Sequence, residues 1–146
     1  MESNLGWLLS RAAFSWRAAV DKYMAELGLT QTRWIALLHL QRMGEGCTQS
    51  ALAANIGVEQ PSLLRTLNQL EEAGLVERRP SPADARCRTL WFTPKGLELI
   101  QEVAALAAKG RQDLLEGLSS QQRQTLHEVL ETVISNAQSV LAMEKK

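Results

Sequence analysis

The apolar positions along the chain fall first into a helical rhythm. Leu5, Leu8, Leu9, Ala12, Trp16, Val20, Tyr23 and Leu27 recur mostly at steps of three and four, one stripe along a helix. Gly28 predicts its end, and Thr30 predicts the cap of a second helix carrying Trp34, Leu37, Leu38 and Gln41. Gly44 and Gly46 break that helix. Thr48 then opens a short one through Leu52, Ala53 and Ile56, closed by Gly57. In "GVEQPSLLRTLNQLEEAGLV", Pro61 suits a first helical turn and Gly74 the position past the end, with Leu63, Leu67 and Leu70 on one face.

After Gly74 the period changes. "LVERRP" and "CRTLWFT" are strand-like, with Leu90 and Phe92 on one side, and "SPADA" between them is turn chemistry. They predict a hairpin with a projecting loop. Thr93 and Pro94 restart helix as N-cap and first residue, with Leu97, Ile100, Val103, Ala107 and Leu114 following. Gly117 interrupts it. Ser119 with Gln122 fits a capping box before a last helix striped by Leu126, Val129, Leu130, Val133, Ile134, Ala137 and Leu141.

The predicted architecture is mainly α with a small β-hairpin. A short helix, a glycine turn and a second helix have the proportions of a helix-turn-helix, and the hairpin after them makes it winged. A chain of 146 residues fits a single domain over 1–146, with a winged lobe at about 30–96 and a helical lobe at about 1–28 and 97–146. One copy has little to cover both terminal stripes with, so a second chain is the natural partner and the helical lobe is read as a dimerisation lobe.

Composition excludes several classes and leaves the charge pattern to decide. No run approaches the roughly 18 apolar residues of a membrane span. The start "MESNLGWLLSRAAF" lacks a signal peptide's basic region and long apolar run, so cytoplasm is the simplest address. Cys47 and Cys87 imply no disulfide framework, and no metal or cofactor motif is present. Sixteen basic residues balance sixteen acidic ones. Between Val76 and Lys95, however, Arg78, Arg79, Arg86, Arg88 and Lys95 face only Glu77 and Asp84. The positive charge is local, and an anionic partner should meet it there.

With Leu63, Leu67 and Leu70 turned inward at 100° per residue, the opposite side of that helix shows Pro61, Ser62, Arg65, Asn68 and Gln69, with Thr66 at its edge. These side chains suit base edges and phosphates, and Arg65 can fork onto guanine O6 and N7. An ordinary solvated face would read the same by itself. A basic loop beside such a helix adds a second feature, because arginine can enter the adjacent minor groove and its focused negative potential.

The segment "QPSLLRTLNQLEEAGLVERRPSPADARCRTLWFTPKG" resembles the MarR family of bacterial regulators, in its SlyA-like branch. The resemblance rests on R-x-L-x-x-L-E-x-x-G-L-V, on the D-x-R of Asp84 and Arg86, and on T-x-x-G at Thr93 to Gly96. "LTQTRW" and "IGVEQPSL" add to it. It implies a homodimer joined through the terminal helices, acting as repressor or activator on pseudo-palindromic double-stranded DNA. Gln60, Pro61, Ser62, Arg65, Thr66 and Gln69 would then line the major groove, with Arg78, Arg86 and Arg88 as wing contacts and Arg86 in the minor groove. Asp84, repelled by phosphate, would fix the loop by pairing with an arginine that the sequence does not single out. The resemblance also implies a crevice for small aromatic carboxylates, with Arg17 and Trp34 at matching positions and Phe14 and His39 nearby.

Two alternatives stand beside this reading. Cys87 lies between Arg86 and Arg88, which favours a thiolate and suggests redox sensing; a small strand residue fits the position equally. A helical adaptor that binds protein and no DNA would use the same amphipathic stripes. For an enzyme the sequence offers no nucleophile motif, phosphate loop or metal spacing.

Overall fold

The computed structural model describes residues 2–84 and 86–144; Met1, Ala85, Lys145 and Lys146, which belong to the expected single-domain span, lie outside the described residues. Six α-helices and a two-stranded antiparallel hairpin follow one another as α1 Leu5–Met24, α2 Gln31–Met43, α3 Gln49–Ile56, α4 Gln60–Glu72, β1 Val76–Pro80, β2 Arg88–Phe92, α5 Pro94–Leu114 and α6 Ser120–Glu144. Contacts divide the chain into two compact units, residues 1–110 and 111–146.

The first unit holds the winged helix-turn-helix. α1 ends in a 3-10 turn, Ala25–Leu27, one residue before the expected glycine stop at Gly28. Thr30 takes the N-cap position of α2, but its hydroxyl lies 3.5 Å from that of Thr32 and caps no backbone N–H. Thr48 does cap α3, accepting from the Ala51 N–H at 3.1 Å. The turn into α4 requires a left-handed residue, and Gly57 supplies it at φ 89°. α2 packs across α3 and α4. Met24, Leu37, Leu40, Leu52, Leu67, Leu70, Val76, Leu90, Ile100 and Val103 are sealed in the core. Truncating one of these to alanine costs about 2–5 kcal/mol.

The hairpin register pairs Val76 with Phe92, Arg78 with Leu90 and Pro80 with Arg88. That alternation sends Val76, Arg78, Leu90 and Phe92 to one face and Glu77, Arg79, Thr89 and Trp91 to the other. The far edge of β2 is also paired: Gly46 N–H donates to Leu90 O at 2.8 Å and Leu90 N–H to Cys47 O at 2.9 Å. The Glu45 carboxylate accepts the Phe92 N–H at 2.9 Å. The wing is thus anchored to the α2–α3 connection at its base.

In the second unit, Ser119 and Gln122 form the capping box reciprocally. The Ser119 N–H donates to Gln122 Oε1 at 2.9 Å and the Gln122 N–H to Ser119 Oγ at 3.1 Å. Every side chain from Ser120 to Met143 is exposed, the apolar stripe included.

Candidate nucleic-acid interface

The outer surface of α4 is set by what its inner surface must bury. Leu63, Leu67 and Leu70 are inside, as their spacing predicts. Thr66, expected at the edge of the outer face, is inside too, at 7% exposure. Its hydroxyl donates to the carbonyl of Ser62 at 3.4 Å. That local bond satisfies the group within the helix and lets threonine join the leucines. The expectation of an outward Thr66 is corrected: its side chain is withdrawn from any surface partner.

Gln60, Pro61, Ser62, Arg65 and Asn68 are exposed and Gln69 is half-buried. Pro61 opens the first turn, where its missing N–H costs nothing. The residues just past α4 are held from the start of α5: Thr93 Oγ1 donates to Gly74 O at 2.6 Å and Lys95 Nζ to Ala73 O at 3.1 Å. The exit of the helix is therefore clamped.

Arg78 does something charge counting could not reveal. Its guanidinium donates to Asn68 Oδ1 at 2.6 Å and to Glu71 Oε1 at 2.7 Å, both on α4, and to Gln49 Oε1 on α3 at 3.4 Å. The side chain is 18% exposed. It braces the wing against both helices of the helix-turn-helix. The bond from Arg78 holds the Glu71 carboxyl below the usual carboxylate range, against a smaller opposing effect of burial, and the field of Arg88 adds to it.

Arg79 lies on the other face, stacked 4.4 Å from the Trp91 ring centre and paired with Glu77. Trp91 in turn donates its indole N–H to Thr89 Oγ1 at 2.9 Å. Arg88, opposite Pro80, is exposed.

At the tip, Arg86 is the arginine that pairs with Asp84. Its Nε lies 3.2 Å from Oδ1 and its Nη2 3.4 Å from Oδ2, while its backbone N–H donates to the same Oδ1 at 3.0 Å. These bonds hold the Asp84 carboxyl below its ordinary range, the guanidinium contributing most. The Arg86 side chain is nevertheless 91% exposed. Asp84 therefore shapes the loop and aims Arg86 without covering it. Cys87 is exposed, its Sγ 3.9 Å from Asp84 Oδ2. Burial pushes the Cys47 thiol up.

Trp34 is 5% exposed and donates its indole N–H to Asp21 Oδ1 at 2.5 Å, while Gln31 donates to Asp21 Oδ2 at 2.7 Å. Arg17 and Phe14 are exposed on α1, and the His39 ring bonds Asn55 on α3 at 2.7 Å. Two participants escaped the sequence reading: Gln49, which accepts from Arg78 at 3.4 Å, and Arg33 on α2, whose Nε donates to Gln69 Oε1 at 3.2 Å. A 36-residue separation leaves no local signal for that contact.

Residues 27–86 match the MarR family. Among solved structures, the chain is similar to the transcriptional regulator PA3341, with 39% identity, a TM-score of 0.86, and coverage of 92% of this chain and 98% of that one. It is similar to a MarR-family transcriptional regulator from Rhodococcus sp. RHA1 at 25% identity and TM-score 0.81, covering 91% and 94%. A mutant MarR from E. coli complexed with operator DNA matches at 25% identity and TM-score 0.79, covering 88% and 92%.

Proposed function

We propose that this chain, which belongs to the MarR family of transcriptional regulators, is a homodimer that reads a two-fold-symmetric DNA site. The observation that carries the proposal is the pairing of two surfaces. α4 offers Pro61, Ser62 and Arg65 outward, and beside it stands a wing whose Arg86 is shaped by Asp84 yet 91% exposed. A helix of this width fits the major groove, and an extended arginine fits the neighbouring minor groove. The similar E. coli protein complexed with operator DNA supports the same use.

The homodimer rests on exposed apolar surface. Leu5, Trp7, Leu8, Leu9, Phe14 and Trp16 are exposed on α1, and Leu126, Val129, Leu130, Val133, Ile134, Val140 and Leu141 on α6. Monomeric soluble proteins rarely expose apolar patches larger than a few hundred Å². Two-fold pairing of chains also matches half-sites about one helical turn apart.

No helix among the described residues is long and apolar enough to cross a membrane, and a DNA-reading role puts the chain in the cytoplasm. The proposal does not extend to an aromatic ligand, because Trp34 is sealed in the core with its N–H on Asp21.

The test is capture and sequencing of genomic fragments by the purified protein, followed by titration of the recovered duplex at several salt concentrations. Enrichment of an inverted repeat, with log affinity falling linearly against log salt, is expected. Sedimentation should give a dimer at micromolar concentration without DNA. No enrichment, or affinity indifferent to salt, would favour the protein-binding adaptor.

A further inference from the structure

The helix α1 divides into two lengths. From Leu5 to Ala18 every residue is exposed, Trp7, Leu8, Phe14 and Trp16 among them. Beyond that it is fixed to its neighbours. Val20 and Met24 are sealed in the core. The α5 backbone passes close by, since a Cβ on Gly110 would meet the Val20 and Tyr23 side chains at 3.4–3.5 Å. Between these apolar contacts, Asp21 accepts from α2 at both carboxyl oxygens. The Trp34 indole N–H reaches Oδ1 at 2.5 Å and the Gln31 amide N–H reaches Oδ2 at 2.7 Å. Gln31 and Trp34 stand three residues apart in the first turn of α2, on one face. Two donors from one helix face grip one planar group, which fixes an angle as well as a distance.

We propose that Asp21 is a positioning residue that sets the spacing between DNA half-sites. This rests on the homodimeric DNA-reading function proposed above and names what holds its geometry. The exposed apolar length of α1 carries self-association and α4 carries the reading surface. Between them lies α2, packed on α4 and bonded to it from Arg33 to Gln69 at 3.2 Å. Asp21 is the polar joint at which α1 meets α2. Val20 and Met24 give that joint adhesion, but hydrophobic attraction is non-directional, so the angle needs the directed bonds of Asp21. Because α1 runs unbroken from Leu5 to Met24 with no proline, it acts as a lever. Asp21 to Leu5 spans about 24 Å at about 1.5 Å per residue. A tilt of about 10° at the joint moves the far end by about 4 Å, more than the about 3.4 Å rise of one base pair.

Asp21→Asn tests it. The isosteric amide keeps one oxygen and sets an NH2 group against the other donor, so one arm of the joint is lost. Gln31→Met removes a donor from the α2 side and keeps the test decisive if the first variant does not fold. Duplexes carrying the half-site recovered by genomic capture, with the spacer varied one base pair at a time, are titrated with wild type and both variants. Thermal melting and sedimentation run alongside. The wild type should favour one spacer length. Each variant should cut that preference by about fivefold or more, the low end of one misread pair's cost, while discriminating half-site sequences as the wild type does. A folded variant with the wild-type spacer preference overturns the proposal. So does loss of half-site discrimination, which would put the effect of Asp21 in α4 itself. A wild type that is monomeric or binds no DNA overturns the function proposed above, a result separate from both.

Discussion

Gly96→Ala isolates the joint on which α4 hangs. Gly96 lies in the first turn of α5, over the end of α4, and is buried. A Cβ there would sit 1.9 Å from the carbonyl oxygen of Leu75 and 2.9 Å from its carbon. Ordinary contact begins at 3.4 Å, so backbone must move by about 1.5 Å. The oxygen in question accepts the Thr93 N–H at 3.1 Å, and the flanking Thr93 hydroxyl bonds Gly74 O. Forcing the extra carbon in costs about 1–3 kcal/mol of overpacking. Each hydrogen bond lost adds about 0.5–1.5 kcal/mol. Alanine's better helix propensity returns about 0.8–1 kcal/mol. With both bonds lost, the net expectation is a destabilisation of about 1–5 kcal/mol. Gly110→Ala is the matched control: its Cβ would meet Val20 and Tyr23 side chains at 3.4–3.5 Å, ordinary contact, so the propensity gain should dominate. Urea unfolding measures both, at one fixed protein concentration so that any self-association contributes equally. At an m of about 2 kcal/mol/M, the Gly96→Ala midpoint should fall by about 0.5–2.5 M, and that of Gly110→Ala should hold or rise. A Gly96→Ala midpoint within error of wild type would refute the close approach.

Four further outcomes follow from named contacts. Arg86→Ala should weaken DNA binding by about 1–3 kcal/mol. Arg78→Ala should also weaken binding but leave the salt slope unchanged, because it braces and does not neutralise phosphate; a slope reduced by about 1 would make it a phosphate contact. Thr66→Val should leave DNA affinity unchanged in titration and stability within about 1 kcal/mol, since the hydroxyl serves Ser62 O alone; tenfold weaker binding would return Thr66 to the interface. The lowered Glu71 carboxyl sets a sign with pH: its ion pair with Arg78 contributes stability above the ordinary carboxylate pKa and loses it as pH falls through the folded value. The urea midpoint difference between wild type and Glu71→Gln should therefore be constant near neutrality and shrink below about pH 4; a difference unchanged to pH 3 would contradict the pairing.

What could be read from sequence here is what neighbours along the chain decide. The stripes of α1 and α6, the capping box of Ser119 and Gln122, the left-handed glycine at Gly57 and the hairpin between Gly74 and Thr93 are local. Propensity, turn chemistry and periodicity carry them without reference to the rest of the chain. The wing motif also pointed to Asp84 as a residue that fixes the loop through an arginine, but it left the arginine open, and the structure identifies it as Arg86.

The roles of the other charged residues were decided by packing. Arg78 reaches Gln49 across 29 residues, and Glu45 meets Phe92 across 47. No window of sequence contains both partners of such contacts, so their charges look alike until the helices are stacked. Thr66 turned inward because burial of three leucines fixes the rotation of α4, and its hydroxyl could be satisfied by Ser62 without leaving the helix. Gly96 read as a motif letter; only the docking of α5 on Leu75 showed the space it keeps clear. Local chemistry thus determined which elements form and where they stop. Tertiary structure decided which polar groups are consumed in holding them together and which are left facing a partner.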